Sequence, residues 1–592
     1  MVNKLRHVMA ENNIDYMIVY SEDPHLSEYT GECDRFRTVI SHFTGSAGTL
    51  LVGADTAFLW TDSRYFVQAG DQLEGTGITL MKYGLPNVPS LGNYLSEHIW
   101  DGQTIAFDHM TLSYESYKDI RSKLPESVET VDGADILRAV VPDLPGRSFD
   151  RIELMPEEAS GKSTADKLGA VRKKIVSIYA HDKSYTYIIS DLTSVMWLFN
   201  LRGSDINFVP VAYSYAMITE HTATIYVSRK DLGDKARSYL EDHDVRIREY
   251  SCFYKDLDDI ASDIVIADSY KNNARILKRF DDAGIYIDCS DTELIPKHIK
   301  NRAEIEGMKS SHIKDAVTMI RFIRKVKEAA KNGELSDEYE TGKMLDDMRL
   351  NNGCGLLAFK TICAYGKNGA VVHYSARKES ALKLENKGFL LVDSGGQYEF
   401  EGTTDITRTI SLGKLSDEEK KVYTAVLKGN LRLMGALFPQ GYKGALLDMT
   451  AEAPLWEIGC FCGHGIGHGV GHYLSVHESE ARVSRSSGVR EAPFSPGVIV
   501  SDEPGIYIEG KFGVRLETLL LTVAAEPIDG NRMCRFEPLT LVPFDKEAID
   551  MDMLSDSDKK ILHDYYELIR EKVLPLLDDD EKIWLKEIID IN

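Results

Sequence analysis

Polar residues set into apolar strands are the first chemical signal in this chain, because a buried charge is costly unless it is paired or bound to metal. Asp393 closes the run FLLVDSGG, and Asp405 sits in GTTDITRTI. Glu503 follows VIVSD and precedes Pro504 and Gly505, and Glu517 lies inside GVRLETLLLTV. Singly, Asp393 and Glu503 fit solvated strand ends; Glu517, with aliphatic residues on both sides, reads as buried. Four histidines (His464, His468, His472 and His477) fall within fourteen residues of GHGIGHGVGHYLSVHE. Separate structural roles explain such a group poorly, since each buried imidazole needs a partner. His464 and His468 have the i, i+4 spacing of HExxH zinc proteases. The glutamate of that motif is missing, however, and the glycine density disfavours a helix. The glycines are expected to let the backbone approach a ligand closely. Two Asp, two Glu and at least one His, with no thiolate, suit a hard or borderline divalent ion; Mn, Co, Fe and Zn all remain open. Several carboxylates able to bridge suit two ions better than one, and two ions a few ångströms apart hold a shared hydroxide and polarise a carbonyl.

The elements that must position these residues are strand-like and Gly-bounded: GFLLVDSGG, TTDITRTISLG, GVIVSDEPG and GVRLETLLLTVA. Helical patterns at 302–332, 335–350 and 416–436 lie between or ahead of them, and an acid-rich amphipathic pattern runs over 555–575. Two joints divide the chain. Residues 141–164 are rich in Pro, Gly, Ser and acid and read as a linker. At 293–307 a strand-like IYID gives way, through Pro296, to the long helix. The domains expected are 1–145, 146–297 and 298–592. The first two resemble each other: each opens on a Lys-rich helix, continues with an apolar strand (YMIVYS, YTYIIS), and later carries further strands such as TAFLWTDSRYF and TATIYVSRKDL. Such alternation gives α/β units.

The 592 residues hold 69 Lys and Arg against 93 Asp and Glu, a net charge of −24. That excludes a surface built to grip nucleic acid or an anionic membrane. The first residues lack the apolar stretch and cleavage site of a signal peptide, and no run reaches the ~18 apolar residues of a membrane span. The eight cysteines are scattered, with only Cys460 and Cys462 close together. They read as reduced thiols, and the expected compartment is the cytoplasm.

At these motifs the sequence resembles the long three-domain aminopeptidase P (Xaa-Pro aminopeptidase) family of pita-bread metallopeptidases. DSGGQY with GTTDITRT, HGIGHGVG with VHE, SDEPGIY and GVRLET follow that family's motifs in order. SEY, GSAGT and WTDSRYFVQA near the start, WLFNLRGSD in the second part and FEPLTLVPFD late in the chain extend the likeness over essentially its whole length. The resemblance implies two creatinase-like α/β domains followed by a pita-bread catalytic domain with a carboxy-terminal extension, an α/β and α+β fold class. It implies Asp393, Asp405, His468, Glu503 and Glu517 as ligands of two divalent ions, with manganese the usual metal. It places His464 and His477 beside the metals, where they position substrate and move protons, and His373, in GKNGAVVHY, on the opposite wall. Tyr507 and Arg515 fall near the bound peptide. Arg515 and Glu517, two apart on one strand, are expected to face the site together.

The implied activity is hydrolysis of the bond before a proline at position two of a peptide, by a hydroxide shared between the ions, in a cytoplasmic homodimer. Glu503 would carry the proton from nucleophile to leaving nitrogen, and His477 would help stabilise the oxyanion. Two rivals are a prolidase-type dipeptidase and a binding protein on the same scaffold without metal; the chain length disfavours the first and the complete ligand set the second. Three features depart from the pattern. Asp393 and Asp405 stand twelve apart where the family usually has eleven. The extra residue, in QYEFEG, must be absorbed by a turn or bulge, since within a strand it would reverse the faces. Ser479-Glu480 replaces the frequent Gly-Pro, and a loop follows with Arg482, Arg485 and Arg490, either solvated or an altered substrate rim. His472 has no counterpart and is read as structural.

Overall fold

The structure, a computed structural model, describes residues 1–291, 293–485 and 491–590, so Arg490 lies outside the described residues. The chain forms two compact units, residues 1–157 with 162–296, and residues 158–161 with 297–592.

The first unit holds two six-stranded sheets. One comprises β1 (Tyr16–Val19), β2 (Thr49–Gly53), β3 (Ala57–Thr61), β4 (Thr79–Lys82), β5 (Thr104–Phe107) and β6 (Glu129–Asp132) in the order β4-β3-β2-β1-β5-β6. The other comprises β7 (Tyr185–Ile189), β8 (Tyr215–Ile218), β9 (Ala223–Val227), β10 (Val245–Glu249), β11 (Ile264–Ala267) and β12 (Tyr286–Asp288) in the order β10-β9-β8-β7-β11-β12. In both, the second strand runs antiparallel to its two neighbours and every other pairing is parallel. Identical order and sense make the two halves the same fold, which the short sequence similarities only suggested. The stretch expected as a linker is partly ordered instead. Glu153–Leu154 pairs with Leu201–Arg202, and Arg147 holds Asp34 at 2.9 Å.

The second unit begins with α1 (Arg302–Asn332) and α2 (Glu338–Leu350). Asn301 and Glu304 form a capping box at the start of α1, and Gly333 ends it in the left-handed conformation, the two signals that define helix limits. Strands β13 (Ile362–Tyr365), β14 (Phe389–Ser394), β15 (Gly396–Tyr398), β16 (Gly402–Thr403) and β17 (Ile406–Ser411) follow, then α3 (Asp417–Met434), β18 (Leu437–Pro439) and α4 (Asp448–Trp456). The remainder is β19 (Gly467–Gly469), β20 (Glu478–Val483), β21 (Ile499–Asp502), β22 (Gly505–Ile508), β23 (Phe512–Arg515), β24 (Thr518–Ile528), β25 (Asn531–Pro538), α5 (Asp556–Lys572) and α6 (Asp579–Ile589). Strands β13-β14-β17 form one small sheet and β18-β25-β24-β21-β19-β20 a larger one. A common core joins them, with Leu390, Val392 and Ile410 from the small sheet, Val500 and Leu520 from the large one, and Val426 and Leu431 from α3.

The QYEFEG segment between Asp393 and Asp405 forms a hairpin, whose tip can absorb an extra residue. Gln397 faces Thr403 and Tyr398 faces Gly402, leaving Glu399, Phe400 and Glu401 as a three-residue turn with Phe400 at φ +58°. One left-handed residue is what a hairpin of this length requires. The flanking β14/β17 register runs unbroken from Phe389 opposite Ser411 to Ser394 opposite Ile406.

One expectation is corrected and one refined. Arg515 and Glu517 do not share a strand: Arg515 ends β23, and Glu517 lies in the break before β24. Of the glycines around His468, Gly467 and Gly469 are required by their own sheet, whatever binds nearby. A Cβ on Gly467 would lie 1.9 Å from the Ser501 carbonyl oxygen, and one on Gly469 would lie 2.7 Å from that of Glu478. Gly467→Ala should therefore overpack the β19/β21 contact by about 1–3 kcal/mol and lower the melting temperature by roughly 2–5 °C. Differential scanning calorimetry of the metal-free protein measures this, and an unshifted transition would contradict the packing argument.

Candidate metal centre

Each predicted acid stands where a strand ends or breaks. Asp393 is the penultimate residue of β14, Asp405 precedes β17, Glu503 follows β21, and Glu517 fills the gap between β23 and β24. His468 is the middle residue of β19, where a register shift after it re-aims the strand, the usual effect of a bulge. The ligand-type atoms of three overlapping groups converge within 4.8 Å: Asp405, His468 and His477; His468, Glu503 and Glu517; and Asp393, Asp405 and Glu517. Asp405, His468 and Glu517 each belong to two groups, so the three form one continuous cluster. All five predicted ligands are thus brought together from two sheets.

Whether these residues fit metal can be judged from their unused atoms. Asp393 Oδ1 and Glu517 Oε1 are buried with no hydrogen-bond partner, an arrangement that native interiors avoid unless something else binds there. Glu517 Oε2 accepts from Thr407 Oγ1 at 3.0 Å. His468 Nδ1 lies 2.9 Å from the Gly469 carbonyl, which can only accept, so the proton is on Nδ1. Nε2 faces Asp405 at 3.5 Å and Glu503 at 3.4 Å, and in the neutral ring its lone pair points at this cluster. This is the tautomer a metal-binding histidine needs. Ser501 fixes the same region, accepting the His468 N–H at 2.9 Å and standing 3.3 Å from Glu503 Oε1.

Burial pushes Asp405 and Glu517 well above the usual carboxylate range, and neighbouring carboxylates add to the shift. Glu503 is raised by burial as well, against the pull of His464 and Arg515. Asp502, fully buried on the other face of β21, is raised by burial and by Glu517 and Glu503. Crowded acids out of water cannot all ionise unless cations compensate them.

Arg515 supplies one such cation. Its guanidinium donates to Asp393 Oδ2 at 2.6 Å, to Tyr507 Oη at 2.7 Å and to Thr407 Oγ1 at 3.1 Å. Tyr507 must accept from this arginine, so its own proton goes to His464 Nε2 at 2.7 Å. His464 then carries its proton on Nδ1, donated to Gly465 O at 2.8 Å. The result is a directed chain from Arg515 through Tyr507 to His464. The ring of His477 stands perpendicular to that of His468, with centroids 4.4 Å apart. His373 is half-buried on the segment after the turn Gly366–Ala370. It belongs to none of the converging groups. His472 is buried beside Gly307 of α1, apart from those groups. Arg485 of the basic loop is anchored on α4, its backbone N–H to Asp448 and its guanidinium to Glu452.

Sequence reasoning missed Thr407, Arg408 and Ser501. Thr407 touches both Glu517 and Arg515, and Thr409 pairs with the backbone of Arg515. The signal for Thr407 and Arg408 was the polar TRT triplet set between Ile406 and Ile410.

The sequence model of metallopeptidase family M24 matches residues 306–524, and that of its C-terminal region matches 532–590. Two models of creatinase/prolidase N-terminal domains match 1–140 and 143–304. A probable Xaa-Pro aminopeptidase P of Chaetomium globosum is 36% identical over 98% of this chain and 97% of its own. One of Pyricularia oryzae is 34% identical over the same shares. The X-prolyl aminopeptidase of Caenorhabditis elegans, described as a cytosolic enzyme with a di-nuclear active site, superposes with a TM-score of 0.93. It is 28% identical and covers 100% of this chain and 99% of its own. The chain belongs to the Xaa-Pro aminopeptidase P family of M24 metallopeptidases, with two creatinase-type domains ahead of a pita-bread domain.

Proposed function

We propose that the protein cleaves the amino-terminal residue from peptides whose second residue is proline, with two divalent ions held by Asp393, Asp405, His468, Glu503 and Glu517. The observation that carries this reading is the convergence of these five side chains, with buried carboxylate oxygens left open on Asp393 and Glu517. When bound, the ions supply a water activated near neutral pH and a polarised scissile carbonyl. Manganese is our choice of metal, although an oxygen-rich set with one imidazole also accepts cobalt, iron or zinc.

The chain's own groups do the rest. Glu503 Oε1, near Ser501 Oγ and His468 Nε2, takes the proton of the attacking water and passes it to the proline nitrogen. Its raised pKa suits a group that must hold and release a proton. His477 stabilises charge on the carbonyl oxygen. His464, its tautomer fixed by Tyr507, presents a defined ring face to the peptide, and His373 lines the facing wall. The substrate's free amine binds beside Asp393, whose Oδ2 Arg515 holds at 2.6 Å.

We read residues 1–145, 146–297 and 298–592 as three domains, each of the first two built on one six-stranded sheet. No helix among the described residues is long and apolar enough to cross a membrane, and the proposed compartment is the cytosol. For a homodimer the second unit offers an apolar strip around α4, where Leu446, Met449, Trp456 and Phe461 are all exposed. Met449 and Trp456, two turns apart, lie on one face of the helix.

Arg-Pro-Pro should be hydrolysed and Gly-Pro should not; turnover of the dipeptide alone would favour a dipeptidase. Glu517→Ala should reduce kcat/KM by at least about a thousandfold and lower bound metal on elemental analysis. Full activity after that change, or after exhaustive chelation, would overturn the metal reading. In the metal-free fold, Asp405, Glu503 and Glu517 hold protons that the unfolded chain releases near about pH 4. The folded state binds more protons, so stability should fall as pH rises above about 4. Manganese should remove most of this fall by compensating the ionised acids, and thermal melts with and without metal measure it. Replacing Met449 and Phe461 by lysine should shift the sedimentation coefficient from dimer to monomer.

A further inference from the structure

Arg408 is among the largest fully buried side chains, and no carboxylate among the described residues pairs with it. Its guanidinium is satisfied by carbonyls and one phenol. Nη1 donates to Thr407 O at 3.0 Å and to Glu517 O at 2.5 Å. Nη2 donates to Val542 O at 2.6 Å and to Tyr565 Oη at 3.0 Å, and Nε lies 3.3 Å from Val542 O and from Pro543 O. Every N–H therefore has an acceptor. The charge also stacks on Phe544, with Cζ 4.4 Å from the ring centre.

These acceptors have two origins. Thr407 and Glu517 belong to the metal centre. Val542, Pro543 and Phe544 lie on the stretch after β25, and Tyr565 lies on α5, all within the carboxy-terminal region. Tyr565 Oη is the organising point of that side. It accepts the Val542 N–H at 3.1 Å and lies 2.9 Å from Thr540 O and 2.7 Å from Val542 O, donating to one of them. Thr540 in turn accepts the Leu519 N–H at 2.9 Å, two residues beyond Glu517.

Glu517 needs such support because it stands in a break between strands, where no ladder fixes its backbone on both sides. Its N–H is held by Thr407 O at 3.0 Å, and its carbonyl by Arg408. We propose that Arg408 and Tyr565 are positioning residues for the metal centre, through which the carboxy-terminal region holds the main chain of Glu517 and so sets metal affinity. Lysine at 408 would keep the charge but could not span both sets of carbonyls, since it lacks the planar fork.

This inference rests on the proposed role of Glu517, and the test separates the two. Apoprotein of wild type, Tyr565→Phe, Arg408→Lys and Glu517→Gln is titrated with Mn2+ by calorimetry, and each apoprotein is also melted. Tyr565→Phe should weaken at least one manganese site by about 10–100-fold, the usual effect of losing a partner behind a metal ligand. Arg408→Lys should weaken it at least as much; should that variant not fold, Tyr565→Phe decides. A purely structural role would lower the apoprotein melting temperature and leave the manganese affinity unmoved. That outcome, with Glu517→Gln losing metal, overturns this inference alone. Manganese binding by Glu517→Gln at wild-type strength would instead overturn the assignment of Glu517 as a ligand.

Discussion

Like charges forced together out of water govern the second unit. Asp393, Asp405, Glu503 and Glu517 meet within a few ångströms, and Asp405 and Glu517 are almost fully buried. A fold can hold such a group only by supplying cations, by supplying donors, or by leaving some acids protonated. All three occur here. Arg515 pairs with Asp393, Thr407 donates to Glu517, and burial favours the protonated form of Asp405, Glu503 and Glu517. On the proposed reading, ion binding is what completes this crowded arrangement.

Placing acids at strand ends makes this tolerable. Mid-strand side chains alternate between faces, so one continuous strand would aim neighbouring acids apart. Ends and breaks free the backbone to turn, and the groups arrive from two sheets instead. The cost is loss of ladder hydrogen bonds at the most demanding positions, and the TRT triplet of β17 replaces them. Thr407 serves the Glu517 side chain and N–H, Arg408 its carbonyl, and Thr409 the backbone of Arg515. Hydrogen bonding also decides proton positions: the Gly469 carbonyl prepares His468 Nε2, and Arg515 acting through Tyr507 settles His464.

Much of the centre was legible because acids interrupt apolar runs. Glu517 stood out for the aliphatic residues beside it, and the histidine cluster for its density. The strands and long helices were legible from period and caps, with α1 found at 302–332 as expected. What stayed hidden depended on contacts between distant segments. The glycines near His468 looked like ligand contacts, yet Gly467 and Gly469 are required by the close approach of β21 and β20. The break between Arg515 and Glu517 looked like continuous strand because its residues have strand propensity, and propensity does not reveal where a second sheet claims the backbone. The stretch at 141–164 has the composition of a linker, but its order comes from partners some fifty to a hundred residues away in sequence.

The hairpin tip at Glu399–Glu401 has a consequence for how such chains diverge. The tip projects beyond β15 and β16, and the register of β14 against β17 does not pass through it. Residues can therefore be gained or lost there without moving Asp393 relative to Asp405. The count between the two aspartates is a loose property of the lineage, whereas the parity of Phe389–Ser394 against Ile406–Ser411 is not: one residue inserted on either strand would turn an acid away from its partners. Length variation should collect in the first place and be absent from the second.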